Sequence, residues 1–146
     1  MTYVPLHVHS EYSLLNGLSQ THQISKRISD IETNVCALTD HGSVSGAVDF
    51  SRTLTNASQK PILGCEFNIC FNSAKEQTQE NRKLIHQVIL AKNLQGWKDI
   101  LGLVSQSNHP DQFYYKPRID FDQLKQVAHK GNLVSFSGHL GSYLGR

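Results

Sequence analysis

Five histidines and one glutamate in this chain have the residue types and spacing of a metal centre. His7 and His9 alternate by one residue, and on an extended strand such a pair points to one face. His41 follows an apolar run in TDHG, Glu66 lies in GCEF, His86 opens LIHQVIL, and His139 follows another apolar run in SGHL. Imidazole and carboxylate are ligands that Zn²⁺, Mn²⁺ and Fe²⁺ accept. Several neutral imidazoles around a bridging carboxylate can hold two or three divalent ions together. Such a cluster generates hydroxide near neutral pH and clamps a phosphoester oxygen, which is a route to phosphoester hydrolysis. Taken singly, each residue is a weak signal. An isolated HxH pair, a histidine after a strand and a lone glutamate are all common on ordinary surfaces, so the weight rests on their recurrence at successive strands. Ser10, Ser13, Ser43 and Ser45 lie near these residues, but no base–nucleophile–orienter pattern singles one out. No glycine-rich nucleotide loop of the Walker or Rossmann kind is present.

The elements that must position these residues alternate short apolar runs with amphipathic stretches. The pattern predicts strands over 6–9, 35–39, 61–71 (with a break near Gly64), 84–91 and 133–137. It predicts helices over 21–31, capped by Thr21, over 44–54, over 94–105 and over 121–130, the last stopped by Gly131. Val44, Val48 and Leu54 are expected to face inward on the second helix, and Leu94, Trp97, Leu101 and Val104 on the third. Residues 72–81 and 109–118 read as loops, and 138–146 as a glycine-rich segment. Regular alternation of strand and helix predicts a parallel sheet with right-handed crossovers. In such sheets the carboxyl ends of the strands form the reactive face.

Composition sets outer limits. With 146 residues, 38% apolar and 18% charged, the chain is sized for one domain with a hydrophobic core. A net charge of +2 gives no bulk electrostatic case for strong nucleic-acid binding. Cys36, Cys65 and Cys70 sit in apolar runs and read as core thiols of a reducing compartment. The opening MTYVPL lacks the pattern of a signal peptide, no run is long enough to span a membrane, and a cytoplasmic location is expected.

Several motifs in order resemble the opening of the PHP domain of bacterial DNA polymerase III alpha subunits. They are HVHSEYSLLNG (7–17), ALTDHGSVSGAVDF (37–50), KPILGCEFNI (60–69), LAKNLQGWKDILGLVS (90–105), YYKPRID (114–120) and SGHLG (137–141). The resemblance implies an α/β fold, part of a distorted (β/α)7 barrel of the PHP type, TIM-barrel-like, with parallel strands and outer helices. It implies metal ligands at His7, His9, His41, Glu66, His86 and His139, divalent Zn, Mn or Fe as cofactor, and hydrolysis by a water that those metals activate. Asp40, beside His41, fits an orienting role. Asn16 stands where the family usually has an aspartate; it brings no negative charge, so the metal there should be held more weakly. His139 stands where relatives often carry cysteine. The family's last ligand pair, Asp-x-His, lies further along, and neither Asp120 nor Asp122 has a histidine two residues on. The resemblance therefore implies a PHP domain over 1–146 that is incomplete at its C-terminus, without the polymerase palm, fingers and thumb.

Arg118 in YYKPRID is a possible phosphate contact, although a structural role suits it better, and Tyr114 and Tyr115 could stack on a base or pack their loop. Implied partners are DNA, through the parent polymerase, and other replicase subunits such as a proofreading subunit and a sliding clamp; no membrane is implied. A stand-alone phosphoesterase resembling histidinol-phosphate phosphatase and a non-catalytic remnant are the other readings. An incomplete barrel would leave an open edge and an uncovered face, and so favour association.

Overall fold

Residues 3–140 and 142 are described by the computed structural model. The remainder of the glycine-rich tail and the first two residues of MTYVPL lie outside them. The elements run α1 (Thr21–Asp30), β1 (Val35–Leu38), α2 (Ala47–Asn56), β2 (Lys60–Cys70), β3 (Leu84–Ala91), α3 (Leu94–Ser107), β4 (Ile119–Asp120), α4 (Phe121–Ala128) and β5 (Leu133–Phe136), with a 3-10 turn at Glu80–Arg82 before β3.

β2 organises the sheet. Its first half pairs in parallel with β1, Val35 opposite Lys60 through Leu38 opposite Leu63. From Gly64 onward it pairs antiparallel with β3 along its other edge, Glu66 opposite Val88 and Asn68 opposite His86. The expected break near Gly64 is thus a change of partner within one strand. β4 pairs in parallel with the end of β2, and β5 runs antiparallel to β3, Val88 opposite Phe136. The expectation of parallel strands therefore fails at β3, and the sheet is mixed. Residues 71–83 join β2 to β3 with only a 3-10 turn between them. A parallel return needs a full crossover, usually a helix, which this segment does not contain.

Alternation along the strands sorts the residues into two faces. Cys65, Phe67 and Ile69 of β2 and Ile85 and Ile89 of β3 pack with Ile100 and Leu103 of α3. Cys36 and Leu38 of β1 pack with Ile24 and Ile28 of α1 and Phe50 and Leu54 of α2. The helices thus cover one face. The opposite face carries Ala37, Val88, Leu90, Ile62 and Phe136, and next to them Glu66, Asn68 and His86.

Four expected details differ. Residues 6–9 form no strand ladder. They run beside β1, where the Val8 carbonyl accepts from Thr39 N–H at 2.9 Å and Val8 N–H donates to the Thr39 hydroxyl at 3.1 Å. A side chain thus takes a bond that a ladder would give to backbone, and Pro5 has no N–H to contribute. On α2 the inward residues are Ala47, Phe50 and Leu54, and Val48 is 67% exposed. On α3 Trp97 and Val104 pack against the core as expected, but the fully buried residues are Ile100 and Leu103, and Leu94 and Leu101 are exposed. Thr21 does not cap α1 but donates its hydroxyl to Asp49 of α2 at 2.6 Å, tying the two helices together.

Candidate metal centre

Glu66 is the hub, only 1% exposed, in the middle of β2. Period-2 alternation puts Asn68 on its face, and the antiparallel register sets His86 opposite Asn68. On the other edge, the chain leaving β1 continues past Leu38. Glu66 N–H donates to the Asp40 carbonyl at 3.0 Å, and Gly42 N–H donates to the Glu66 carbonyl at 2.8 Å. This bridge sets His41 directly beside Glu66. Gly42 then turns the chain at φ +65°, a conformation that favours glycine.

The two carboxylate oxygens of Glu66 divide four imidazoles between them. Oε2 lies 2.8 Å from His7 Nε2 and 2.6 Å from His9 Nε2. Oε1 lies 3.1 Å from His139 Nε2 and 3.3 Å from His86 Nδ1. The His86 and His139 nitrogens are themselves 2.7 Å apart. Two groups of candidate ligands result, His7–His9–Glu66 and Glu66–His86–His139, with Glu66 common to both. Within each group the ligand atoms lie within 4.8 Å of one another.

This donor set fits divalent cations. The carboxylate is buried, and no lysine or arginine forms an ion pair with it among the described residues. Burial pushes its pKa up, but the hydrogen bonds of His7, His86 and His9 outweigh that and hold it well below the ordinary carboxylate range. The Glu66 hydrogen bond raises the pKa of His7 against the cost of its burial.

Neighbouring groups hold the rings. The Gly138 backbone lies against His7 and helps to raise its pKa. Gly138 must lack a side chain, because a Cβ there would meet His7 Cε1 at 2.7 Å and Val88 Cγ2 at 2.8 Å. His41 stands beside the cluster, its ring centroid 4.6 Å from His86 and 6.3 Å from His9, but it belongs to neither ligand group. Its Nε2 lies 2.8 Å from Asn68 Oδ1, while Asn68 Nδ2 donates to the Pro117 carbonyl at 3.0 Å. With the amide nitrogen spoken for, Oδ1 must accept, so His41 carries its proton on Nε2 and offers Nδ1 as its lone pair. Burial lowers the His41 pKa and keeps the ring neutral.

Asp40 holds backbone beside the cluster rather than a ring. It is buried and accepts from Ser10 N–H at 2.7 Å, from the Ser10 hydroxyl at 2.9 Å and from the Ser13 hydroxyl at 2.9 Å. The Ser13 hydroxyl in turn accepts from His41 N–H at 2.9 Å. Asp40 therefore fixes the chain next to both His9 and His41.

Two expected contacts are placed elsewhere. Asn16 is exposed, and its amide donates to the Leu14 carbonyl at 3.4 Å rather than to the cluster. Arg118 is 1% exposed, and its guanidinium donates to the carbonyls of Ala74, Gln112, Asn81 and Glu76 at 3.0–3.2 Å. All three of its nitrogens are engaged and the group is buried, so the structural role, favoured over the phosphate contact in the sequence, is the one this geometry suits. The residue that sequence reasoning missed is Asn68. Its signal was present, since it lies two positions after Glu66 and so on the same strand face.

The family profile of the PHP domain matches residues 5–146, and the chain belongs to the PHP domain family. Its relatives include DNA polymerase III alpha subunits. That of Chlamydia pneumoniae is 38% identical over 97% of this chain and 11% of its own length. Those of Borreliella burgdorferi and Treponema pallidum are 36% and 34% identical over 99% of this chain and 12% of theirs. The chain thus spans about a tenth of the length of the curated relatives that it matches. Among solved structures, a protein assigned as a metal-dependent phosphoesterase from Bifidobacterium adolescentis shares 13% identity at TM-score 0.52, over 71% of this chain and 32% of that one. An amidohydrolase from Chromobacterium violaceum, with bound sulfate, shares 18% at TM-score 0.53 over the same fractions. These two establish the fold, a partial TIM-barrel-like α/β arrangement.

Proposed function

We propose that this chain is the first portion of the PHP domain of a replicative DNA polymerase alpha subunit, and that it holds divalent metals for phosphoester hydrolysis. The observation that carries this reading is the buried Glu66 carboxylate with two imidazoles on each oxygen. His7 and His9 would hold one ion and His86 and His139 a second, with Glu66 between them and His41 supplying a further nitrogen. Bound Zn, Mn or Fe would polarise a phosphoryl oxygen and acidify a water. The chain's own groups do the rest. Gly138 fixes the His7 ring, Asn68 holds the His41 proton on Nε2, and Asp40 keeps His9 and His41 at a set spacing. None of these groups is a nucleophile aimed at a substrate, which agrees with water as the attacking group.

The parent reading supplies the context. The relatives are named DNA polymerase III alpha subunits; on this reading the whole protein would act in DNA replication in the cytoplasm, with DNA, a proofreading subunit and a sliding clamp as its partners. The chemistry would be 3′–5′ removal of nucleotides, or a structural platform built on the same metals. Asn16, turned from the cluster and uncharged, favours weaker metal binding and the platform role. No helix among the described residues is long and apolar enough to cross a membrane.

Metal content after gel filtration tests the centre. Two ions per chain, lost in a His7→Ala/His9→Ala double variant that remains folded, are expected. A wild-type chain that carries no metal after incubation with Zn²⁺ or Mn²⁺ refutes it.

A further inference from the structure

A cavity of about 270 Å³ adjoins the metal cluster and shares His86 with it; its other lining residues are Arg82, Leu84, Tyr114, Tyr115 and Lys116. Arg82 places its guanidinium 4.1 Å from the Tyr115 ring centroid, and Tyr114 meets Tyr115 edge to face at 4.7 Å. Tyr115 is nevertheless 67% exposed, at φ +62°, a left-handed conformation costly for an aromatic residue. Tyr114 N–H closes that turn onto the Lys116 carbonyl at 3.4 Å. A strained backbone that presents a large ring to solvent persists only when its surroundings hold it. Arg118 is the holder, because its carbonyl partners Ala74, Glu76 and Asn81 lie on the segment that ends in Arg82, and Gln112 lies on the segment that bears Tyr115. Asn68 ties the same segment, at Pro117, to His41.

We propose that this pocket is a nucleotide subsite, in which the base of a single-stranded DNA end stacks on Tyr115 and Arg82 while Lys116 meets a phosphate. The inference rests on the proposed metal centre for its place beside a reacting phosphoester. The chemistry selects the ligand. Aromatic and guanidinium planes favour a planar base, and a lysine next to them favours an attached phosphate.

The test is binding, measured in EDTA so that neither metal nor hydrolysis enters. Anisotropy of a short fluorescein-labelled oligodeoxyadenylate is followed with the wild-type chain, Tyr115→Asn, Tyr115→Phe, Arg82→Ala and Lys116→Ala. Asparagine tolerates positive φ, so Tyr115→Asn removes the ring while suiting the turn. Binding should weaken roughly fivefold or more in Tyr115→Asn and stay within about twofold in Tyr115→Phe. Lys116→Ala should lower the salt dependence by about one phosphate contact. Arg82→Ala, which leaves the backbone of the strained turn unaltered, should weaken binding in the same direction and serves if Tyr115→Asn does not fold. Deoxyadenosine monophosphate should compete better than inorganic phosphate. Absent wild-type binding, equal affinity of wild type and folded Tyr115→Asn, or competition by phosphate alone overturns the proposal. Metal content of the same preparations separates the two readings. His7→Ala/His9→Ala should lose metal and keep the oligonucleotide, whereas Tyr115→Asn should do the reverse.

Discussion

Arg118, just before β4, and Glu66, in the middle of β2, are both 1% exposed charges, yet they are settled in opposite ways. The guanidinium of Arg118 donates to four main-chain carbonyls, groups that neither titrate nor leave. The carboxylate of Glu66 is met by imidazoles that can gain protons, lose them or bind a metal. A buried charge with fixed partners makes structure; a buried charge with exchangeable partners makes a site.

Removing each charge should therefore act on different observables. Arg118→Met leaves four carbonyls, three of them in buried contacts, without their donor and unties the loops 72–82 and 109–117. A stability loss of about 3–5 kcal/mol is expected, read by urea denaturation. Glu66→Gln keeps the side-chain volume and should lower metal content to background while changing stability by less than about 1 kcal/mol. An Arg118→Met variant as stable as wild type, or a Glu66→Gln variant that still binds metal, would break the contrast.

Asp40 sharpens the comparison, being a buried carboxylate held by hydroxyls and an N–H, with no ring among its hydrogen-bond partners. Asp40→Ala should cost about 1–3 kcal/mol, because Ser10 and Ser13 lose their acceptor. It should also weaken metal affinity about 10- to 100-fold, because the chain next to His9 and His41 loosens. If stability falls and metal affinity does not, Asp40 supports the fold without orienting the site.

Much of this arrangement was legible in the sequence, and the reasons for the remainder are specific. The histidines and Glu66 could be assembled because each follows or lies in an apolar run, and alternation fixes which side chains share a face. The direction of β3 could not be read, since periodicity is the same for parallel and antiparallel strands and only the connection distinguishes them. Val48 and Leu94 misled because apolar residues also occupy exposed helix faces, and the phase of each helix is set by its packing on β1–β3. Arg118 read as structural first and as a phosphate contact second, because a sequence shows charge but not the carbonyls that meet it. Asn68 was passed over because a neutral amide carries no chemistry until His41 and Pro117 are seen on either side of it.

The buried thiols supply a third way to settle a buried ionisable group, which is to remain neutral. Burial pushes the Cys36 thiol up to about 11 from 9.0, and burial also raises Cys65 and Cys70. At pH 8 the Cys36 thiolate should be roughly a hundredfold scarcer in the folded chain than in the unfolded one. Native alkylation should then be slow and unfolding in urea should release it, as mass spectrometry of iodoacetamide-treated samples would show. The stability consequence has a definite sign. Above pH 9 the unfolded chain loses thiol protons that the folded chain retains, so stability should decline as pH rises through that range, and it should be insensitive to these groups below it. The effect is the smallest of the four, because unfolding needs to release only a few protons. A Cys36 that is alkylated in the native chain as fast as in urea would show that burial alone does not protect it, and that the β1 edge opens more readily than its packing against α1 and α2 implies.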